Sequence, residues 1–343
     1  LPAVPPPVGR HAGTAGAALK GTAVARVLVT HPLPAGSLDA LDAHHIVQLD
    51  GEAPLTPGEL AAAAADAEAV VCLLTDRLDA EFFAAAAHLR VVASVSVGFD
   101  HVDLDAARRH GVVVCHTPGV LDETTADLTW ALILGASRLL GEASEHLRSG
   151  RWPGWGMLQH LGQDVHGATL GVVGYGRIGR AVARRAAGFA MRVLHHARHP
   201  TGEPGYEPDL DELLAQVDIV TLHVPLSSDT HHLLDRRRLA LLRPTAVVVN
   251  TSRGPVIDEA ALADALHAGQ LFAAGLDVYE HEPAVHPRLL DAPRVLCLPH
   301  IGSATVATRT EMAQLAATDA AAVLAGRAPR HPVAGTWPPE PSP

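Results

Sequence analysis

Three short stretches place reactive side chains directly after apolar, β-branched runs. Asn250-Thr251-Ser252-Arg253-Gly254 follows AVVV. Tyr279-Glu280-His281-Glu282-Pro283 follows GLDV. Leu298-Pro299-His300-Ile301-Gly302-Ser303 follows RVLC. If the runs are strands of one doubly wound sheet, the loops after them share its carboxyl edge, where open α/β sheets bind ligands. Arg253, Glu282 and His300 then converge. Such a trio suits reduction of a 2-keto acid. The arginine holds the substrate carboxylate and polarises the keto oxygen, the imidazolium gives that oxygen a proton, and the carboxylate orients the ring and favours its charged form. Each residue alone has a plainer reading. The chain carries 22 histidines, so a lone His300 would be structural or solvent-facing. Glu282 would be an exposed loop acid and Arg253 a surface charge. Three successive strand-end loops are harder to explain that way.

Such a reaction needs a nucleotide cofactor, and Gly174, Gly176 and Gly179 supply a GxGxxG turn between the strand LGVV and a helix. The first glycine allows the tight turn, the second lets backbone approach a pyrophosphate, and the third brings helix close to sheet. The helix N-terminus adds free N–H groups and partial positive charge. An acid is expected about 20 residues on, to hold the ribose 2′-hydroxyl of NAD. Ala197 stands there, within VLHHARHP, followed by Arg198 and His199 and preceded by His195 and His196. A guanidinium fork suits a 2′-phosphate that an acid would repel. NADP(H) is therefore the expected cofactor, with NAD(H) possible. A solvated basic loop is the plain alternative.

The elements that must position these groups alternate along the chain. ARVLVT, HIVQLD, AVVCLL, RVVASVS and GVVVCH read as strands, separated by helix-like GSLDALDAH, PGELAAAAADA, DAEFFAAAAH and DLDAARRHG. ATLGVVGYG, MRVLHH, DIVTLHV, TAVVVNTS, FAAGLDV and RVLCLPH form a second series. Continuous apolar strands between helices predict parallel sheets covered on both faces. A long helix over about 124–150, capped by Asp122, carries Leu128, Ala131, Leu132, Leu139 and Leu147 as its apolar stripe. The Trp/Gly-rich loop RWPGWGMLQHLGQ follows. A last helix, about 306–324, returns to the first series. The expected division is a disordered leader (1–23), a substrate domain (24–120 with 304–330), a dinucleotide-binding domain (121–303) and a disordered tail (331–343). The two crossings, near Val120 and Ser303, make a hinge beside a cleft.

Composition narrows the partners. With 48% hydrophobic residues, 343 residues suffice for two cores, and the formal net charge of −11 disfavours nucleic acid or an anionic membrane. No apolar run reaches spanning length. Cys72, Cys115 and Cys297 show neither metal spacing nor a disulfide framework, which suits reduced thiols in a cytoplasmic protein and predicts no metal.

VSVGFDHVD (95–103), the GYGRIG turn, NTSRGPVID, GLDVYEHEP and LPHIGSAT resemble the D-isomer-specific 2-hydroxyacid dehydrogenases from about Arg26 to Leu324. Within that family VLDETTADLTWALILGASR, RWPGWGM and the Ala197-Arg198 pair most resemble glyoxylate/hydroxypyruvate reductases, whose members with such a pair favour NADPH. The resemblance implies a Rossmann domain inserted into a flavodoxin-like substrate domain, with Arg253, Glu282 and His300 as the catalytic set. It implies that backbone N–H groups of Val97 and Gly98 hold the substrate carboxylate, with Ser303 near it. Trp155 is implied to reach a neighbouring subunit's site in a homodimer, though loop packing at a dimer would also explain Trp152 and Trp155. Cofactor contacts are implied for Arg177, Ile178, Arg198, His199, Pro225, Thr230, Thr251, Arg253, Asp277, His300 and Gly302. Pro225, in HVPL, departs from the animal reductases. The expected activity is NADPH-dependent reduction of glyoxylate and hydroxypyruvate to D-2-hydroxy acids. The alternatives are an NAD-linked relative acting on D-3-phosphoglycerate or formate, and a corepressor-type binding module on the same fold.

Overall fold

All eleven strand-like runs become parallel strands in the computed structural model, which describes residues 24–338. β1 (Arg26–Val29), β2 (His45–Gln48), β3 (Ala69–Cys72), β4 (Val91–Ser94) and β5 (Val113–Cys115) form one sheet in the order β2-β1-β3-β4-β5. β6 (Thr169–Val173), β7 (Arg192–His196), β8 (Ile219–Leu222), β9 (Val247–Asn250), β10 (Ala273–Leu276) and β11 (Val295–Cys297) form the other, ordered β11-β10-β9-β8-β6-β7. Beyond β7 a further parallel bridge joins His195 to Tyr206. Tyr206 makes a single bridge and no strand, in a stretch where Pro200, Pro204 and Pro208 lack the ladder donor.

The helices are α1 (Pro57–Ala64), α2 (Ala80–Ala85), α3 (Leu104–Arg109), α4 (Asp122–Ser137), α5 (Leu140–Arg148), α6 (Arg177–Ala186), α7 (Leu210–Gln216), α8 (Arg236–Leu239), α9 (Glu259–His267), α10 (Pro287–Leu290) and α11 (Val306–Leu324). Their starts follow from local chemistry. Thr56 and Glu59 form a reciprocal capping box on α1, and Asp79, Asp103, Asp209, Asp235, Asp258 and Thr305 cap α2, α3, α7, α8, α9 and α11.

Because strand side chains alternate faces, each sheet carries two cores. Val27, Val71, Ala93 and Cys115 face α11 through Met312 and Ala316. Leu28, Val70, Val92 and Val114 face Phe82 and Phe83 on the other side. Each of these two fully buried rings contributes about 1.5–3 kcal/mol of transfer free energy. In the second sheet Val172 and Val249 face Trp130 and Ile133 of α4, and Val220 and Val248 face Leu213 and Leu262. Thus α4 lies on the second sheet and α11 on the first.

Several expectations change. The long helix is two helices, broken at Leu139, whose backbone is left-handed (φ 54°). Asp122 does not cap it. It is the first helical residue, and Leu121 precedes it without a side-chain cap. The single stripe therefore fails: Ala131 is exposed, and so is Leu147 at 60%. GSLDALDAH gives only a 3₁₀ turn, Asp39–Leu41. Residues 331–338, expected in a disordered tail, are ordered against β5. Pro332 bridges Cys115, Val333 N–H donates to Val114 O at 2.7 Å, and Thr336 is buried. The segment's low hydrophobicity misled because it docks through only two apolar side chains, Val333 and Trp337, beside polar anchors. Asp319 of α11, 1% exposed, accepts from Arg330 N–H (2.7 Å) and lies 2.9 Å from His331 Nδ1. The expected leader, 1–23, and the last five residues lie outside the described residues. No described helix is long and apolar enough to cross a membrane.

Replacing Asp319 by alanine strands two donors at once. Asp319→Ala should destabilise the protein by about 1.5–3 kcal/mol, read as a lower urea midpoint. A midpoint equal to the parent's would show that the 331–338 strap docks without this carboxylate.

Candidate active site

The nucleotide turn lies at the switch point of the second sheet, between β6 and β8. Gly174 has φ 93°, and a Cβ there would meet backbone of His223 and Val224 at 2.6–2.8 Å. A Cβ on Gly179 would collide with Gly174 O. At Gly176 a Cβ would meet nothing within 4 Å, so open space lies over the start of α6. That helix has no side-chain cap at Gly176. Uncapped N–H groups facing open space at a helix start fit a dinucleotide's pyrophosphate. Arg177 opens the helix and pairs with Asp122 at 3.2 Å, while Ile178 packs half-buried on the α4 side of the sheet.

At the far end of that carboxyl edge, Asp277 is 1% exposed and accepts N–H groups from Ile301 and Gly302, both at 2.8 Å. Burial pushes its pKa up, opposed by those N–H groups and by His300. The two bonds fix the turn after His300, which holds a left-handed backbone (φ 53°) and donates its own N–H to Asp277 O at 2.9 Å. Such a conformation in a non-glycine residue costs about 1–3 kcal/mol and persists only when its surroundings impose it. It sets His300 Nδ1 2.7 Å from Glu282 Oε2, while Glu282 Oε1 accepts Tyr279 N–H at 2.9 Å. Burial raises the Glu282 pKa, but the His300 contact, that N–H and Arg253 outweigh it and hold the carboxyl below its usual range. Tyr279 Oη donates to Leu298 O at 2.8 Å, tying the ends of β10 and β11 together.

Arg253 comes from the loop after β9 and meets the first sheet. Its Nε lies 3.0 Å from Asp100 Oδ1, its Nη1 donates to Ser252 O at 2.8 Å, and its guanidinium packs so closely on Gly98 that a Cβ there would collide with it. The loop carrying Val97 and Gly98 is held from beneath. His116 Nδ1 donates to Val97 O (2.8 Å) and Ser96 Oγ to Gly98 O (2.6 Å). Ser94 links Ser96 (2.7 Å) to His101 Nε2 (3.0 Å). Burial drives the His101 pKa down to about 4, so this ring is neutral near pH 7. With both carbonyls engaged, the Val97 and Gly98 N–H groups make no hydrogen bond among the described residues and remain able to take an anion.

The other expected positions are less uniform. Arg198 and His199 are exposed or nearly so on the loop after β7. The neighbouring His195 and His196 do not join them: His195 is buried, stacked on Tyr175 with centroids 3.7 Å apart, and His196 Nδ1 lies 3.1 Å from Glu207 O. Pro225 and Thr230 share the loop after β8, where Thr230 Oγ1 donates to Pro225 O at 2.6 Å. Thr251 is buried, 2.9 Å from Thr129 Oγ1. Gly302 O accepts from Thr125 Oγ1 at 3.3 Å, and Ser303 is half-buried beside it. Trp155 is 79% exposed in the loop after α5 and uncovered by its own chain. Sequence reasoning missed Asp100, the Ser94-Ser96-His101 support and the Asp122 partner of Arg177. Only Asp100 left a usable signal, an acid two residues beyond Gly98 in a loop read for its backbone.

Comparison with known proteins gives the family. The family described as D-isomer specific 2-hydroxyacid dehydrogenase, NAD binding domain, matches residues 130–302. Glyoxylate reductase from Thermococcus onnurineus is 42% identical over 316 residues, covering 89% of this chain and 94% of that protein. The glyoxylate reductase of Korarchaeum cryptofilum is 43% identical over 314 residues, covering 89% and 94%. Among solved structures, a Thermus thermophilus protein superposes with TM-score 0.86 at 46% identity, covering 90% of this chain and 99% of that one. The NADPH-dependent glyoxylate/hydroxypyruvate reductase of Sinorhizobium meliloti, solved with NADP and malonate, gives 0.84 at 34% identity over 93% and 99%. With the dinucleotide turn, the paired imidazole and carboxylate and the apposed guanidinium all in place, the chain belongs to the NAD(P)-dependent D-isomer-specific 2-hydroxyacid dehydrogenases.

Proposed function

We propose that this enzyme reduces glyoxylate and hydroxypyruvate to the D-2-hydroxy acids, with His300 as proton donor and NADPH preferred over NADH. The observation that carries the reading is the 2.7 Å contact between His300 Nδ1 and Glu282, which leaves Nε2 for a substrate oxygen. The substrate carboxylate takes the N–H groups of Val97 and Gly98. Arg253 Nη2, lying against Gly98, polarises the keto oxygen. A bound nicotinamide cofactor supplies the hydride. As charge develops on the keto oxygen, His300 passes it the Nε2 proton, and Glu282 stabilises the imidazolium until then. Asp277 keeps the His300 turn fixed throughout.

The cofactor preference rests on Ala197 where an acid would stand and on Arg198 next to it, open to solvent. A homodimer is supported by a run of exposed apolar side chains: Leu140 and Leu147 of α5, then Trp152, Trp155, Met157 and Leu158 of the loop after it, all at least 49% exposed. A second copy covering them would take Trp155 toward its partner's site. Three free cysteines support a reducing, cytoplasmic setting.

Arg198→Ala should weaken NADPH by one to two decades, about 1.5–3 kcal/mol, and NADH little. Dissociation constants for both cofactors decide it, and equal weakening would defeat the NADP assignment.

His300→Gln should leave cofactor affinity near the parent's and lower kcat about 100-fold or more, since proton donation acts in the transition state. Near-normal turnover would mean that the proton comes from another group.

Glu282→Gln tests the pair through pH. Glu282 is held below the usual carboxylate range, so in the parent the charged carboxylate, and the ring orientation that depends on it, persists as pH falls through that range and is lost only below it. The glutamine variant has no carboxyl to protonate, so it should turn over more slowly at neutral pH and lack that acid-side loss. Parental kcat with an unchanged acid limb in the variant would make Glu282 a screened loop acid.

A further inference from the structure

We propose that Asp100 is the positioning residue for Arg253 and that its charge restricts the site to substrates with a single carboxylate. The inference deepens the reading of the site as one for small 2-keto acids, and rests on it.

The first step is donor arithmetic. A guanidinium carries five N–H groups in a rigid plane. Asp100 takes Nε–H, at 3.0 Å to Oδ1 and 3.3 Å to Oδ2, and Ser252 O takes one N–H of Nη1 at 2.8 Å. Three N–H groups remain, all on the Nη1/Nη2 end. The side-on edge of Nε and Nη2, which could otherwise grip a carboxylate in two-pronged fashion, is closed. Arg253 is thereby left with the end that packs on Gly98. Asp100 follows Gly98 by two residues, so one short loop both presents the anion-binding N–H groups and pins the guanidinium beside them.

That loop is stiff. Its carbonyls are tied by His116 and Ser96, and its far end by His101 through Ser94. Phe99 packs edge-on against His116, with ring centroids 5.5 Å apart, and Val102 N–H closes a turn onto Phe99 O. A carboxylate on such a loop fixes a partner's position in a way that exposed pairs do not. Arg184–Glu123, each side chain 61% exposed, is a surface contact of little consequence, whereas Arg253 and Asp100 are 21% and 34% exposed. The pair also crosses from the loop after β4 in the first sheet to the loop after β9 in the second.

The second step is charge. Around the substrate position stand two carboxylates, Asp100 and Glu282, while Asp277 is buried and turned to the Ile301 and Gly302 N–H groups. Against them stand Arg253 and His300, the latter only when protonated. One substrate carboxylate is offset by Arg253 and the free N–H groups of Val97 and Gly98. A second would enter an already negative site, with Asp100 nearest the guanidinium it must share.

The test compares the parent with Asp100→Asn and Asp100→Ala. Binding of oxamate, a monoanion, and malonate, a dianion, to the cofactor-loaded protein is followed by fluorescence, beside glyoxylate kinetics and thermal midpoints. Asparagine keeps an acceptor for Nε–H but removes the charge. It should raise malonate affinity relative to oxamate about tenfold and retain most of kcat. Alanine removes the acceptor as well, and should lower glyoxylate kcat/KM about 10- to 100-fold with cofactor affinity unchanged. A merely structural role would lower both ligands' affinities alike. A malonate-to-oxamate ratio within twofold of the parent in both variants overturns the charge claim, and parental kcat/KM in Asp100→Ala overturns the positioning claim. Should the parent bind oxamate yet reduce no 2-keto acid, the proposed reaction fails, and the binding ratio still decides the role of Asp100.

Discussion

One buried carboxylate sets the catalytic edge of the second sheet. Asp277 sits at the end of β10 with almost no exposure, and burial alone would favour its neutral form. Two backbone N–H groups, from Ile301 and Gly302, offset that cost and are fixed in return. The turn they form is the one that gives His300 a backbone conformation which asparagine or glycine would adopt more readily. The strain is local and the gain is directional: the imidazole faces Glu282 rather than solvent. Tyr279 completes the arrangement by donating its hydroxyl to Leu298 O, so β10 and β11 cannot part without breaking that half-buried bond. The His300–Glu282 distance follows from backbone geometry two residues away more than from either side chain.

The first sheet contributes a different kind of order. In the proposed reading it serves the substrate through backbone N–H groups, with Asp100 acting by way of Arg253. Its contribution is a loop whose carbonyls are used up beneath, leaving N–H groups above. The supporting residues, Ser94, Ser96, His101 and His116, are polar and largely buried, which is costly unless each has a partner. The two serines carry no charge, and burial keeps His101 neutral and lowers the His116 pKa. Partial charge for an anion therefore comes from amides and from one imported cation, Arg253, and not from a basic patch. A chain of net charge −11 can hold a small anion on these terms.

How much of this was legible follows from the physics of each signal. Eleven strands were readable because parallel strands buried on both faces leave continuous β-branched runs. The GxGxxG turn was readable because each glycine answers a separate steric demand. Arg253, Glu282 and His300 could be singled out because each lies in the loop that follows such a run. The long helix was misread because the break falls on a left-handed leucine, Leu139, and not on the nearby Gly135 or Gly141. The strap at 331–338 was misread because its docking relies on Asp319, which sits in an alanine-rich helix and shows its role only through the fold. Asp100 left one signal, its place two residues beyond Gly98, but its pairing left none: its partner lies 153 residues away, and no spacing rule reaches that far.

The two crossings between the sheets run side by side. α4 leaves the first sheet at Asp122 and α11 returns to it at Val306, and near their starts Thr124 Oγ1 and Thr308 Oγ1 are 2.7 Å apart. A rotation of one sheet against the other about that line would displace few backbone bonds, since neither β ladder spans the divide. It would, however, part Asp100 from Arg253, because the two belong to opposite sides. The guanidinium would then lose its Nε partner and its seat on Gly98 together. An ion pair of modest intrinsic strength thus acquires its importance from position: it couples the apposition of the sheets to the placement of the Arg253 guanidinium against Gly98.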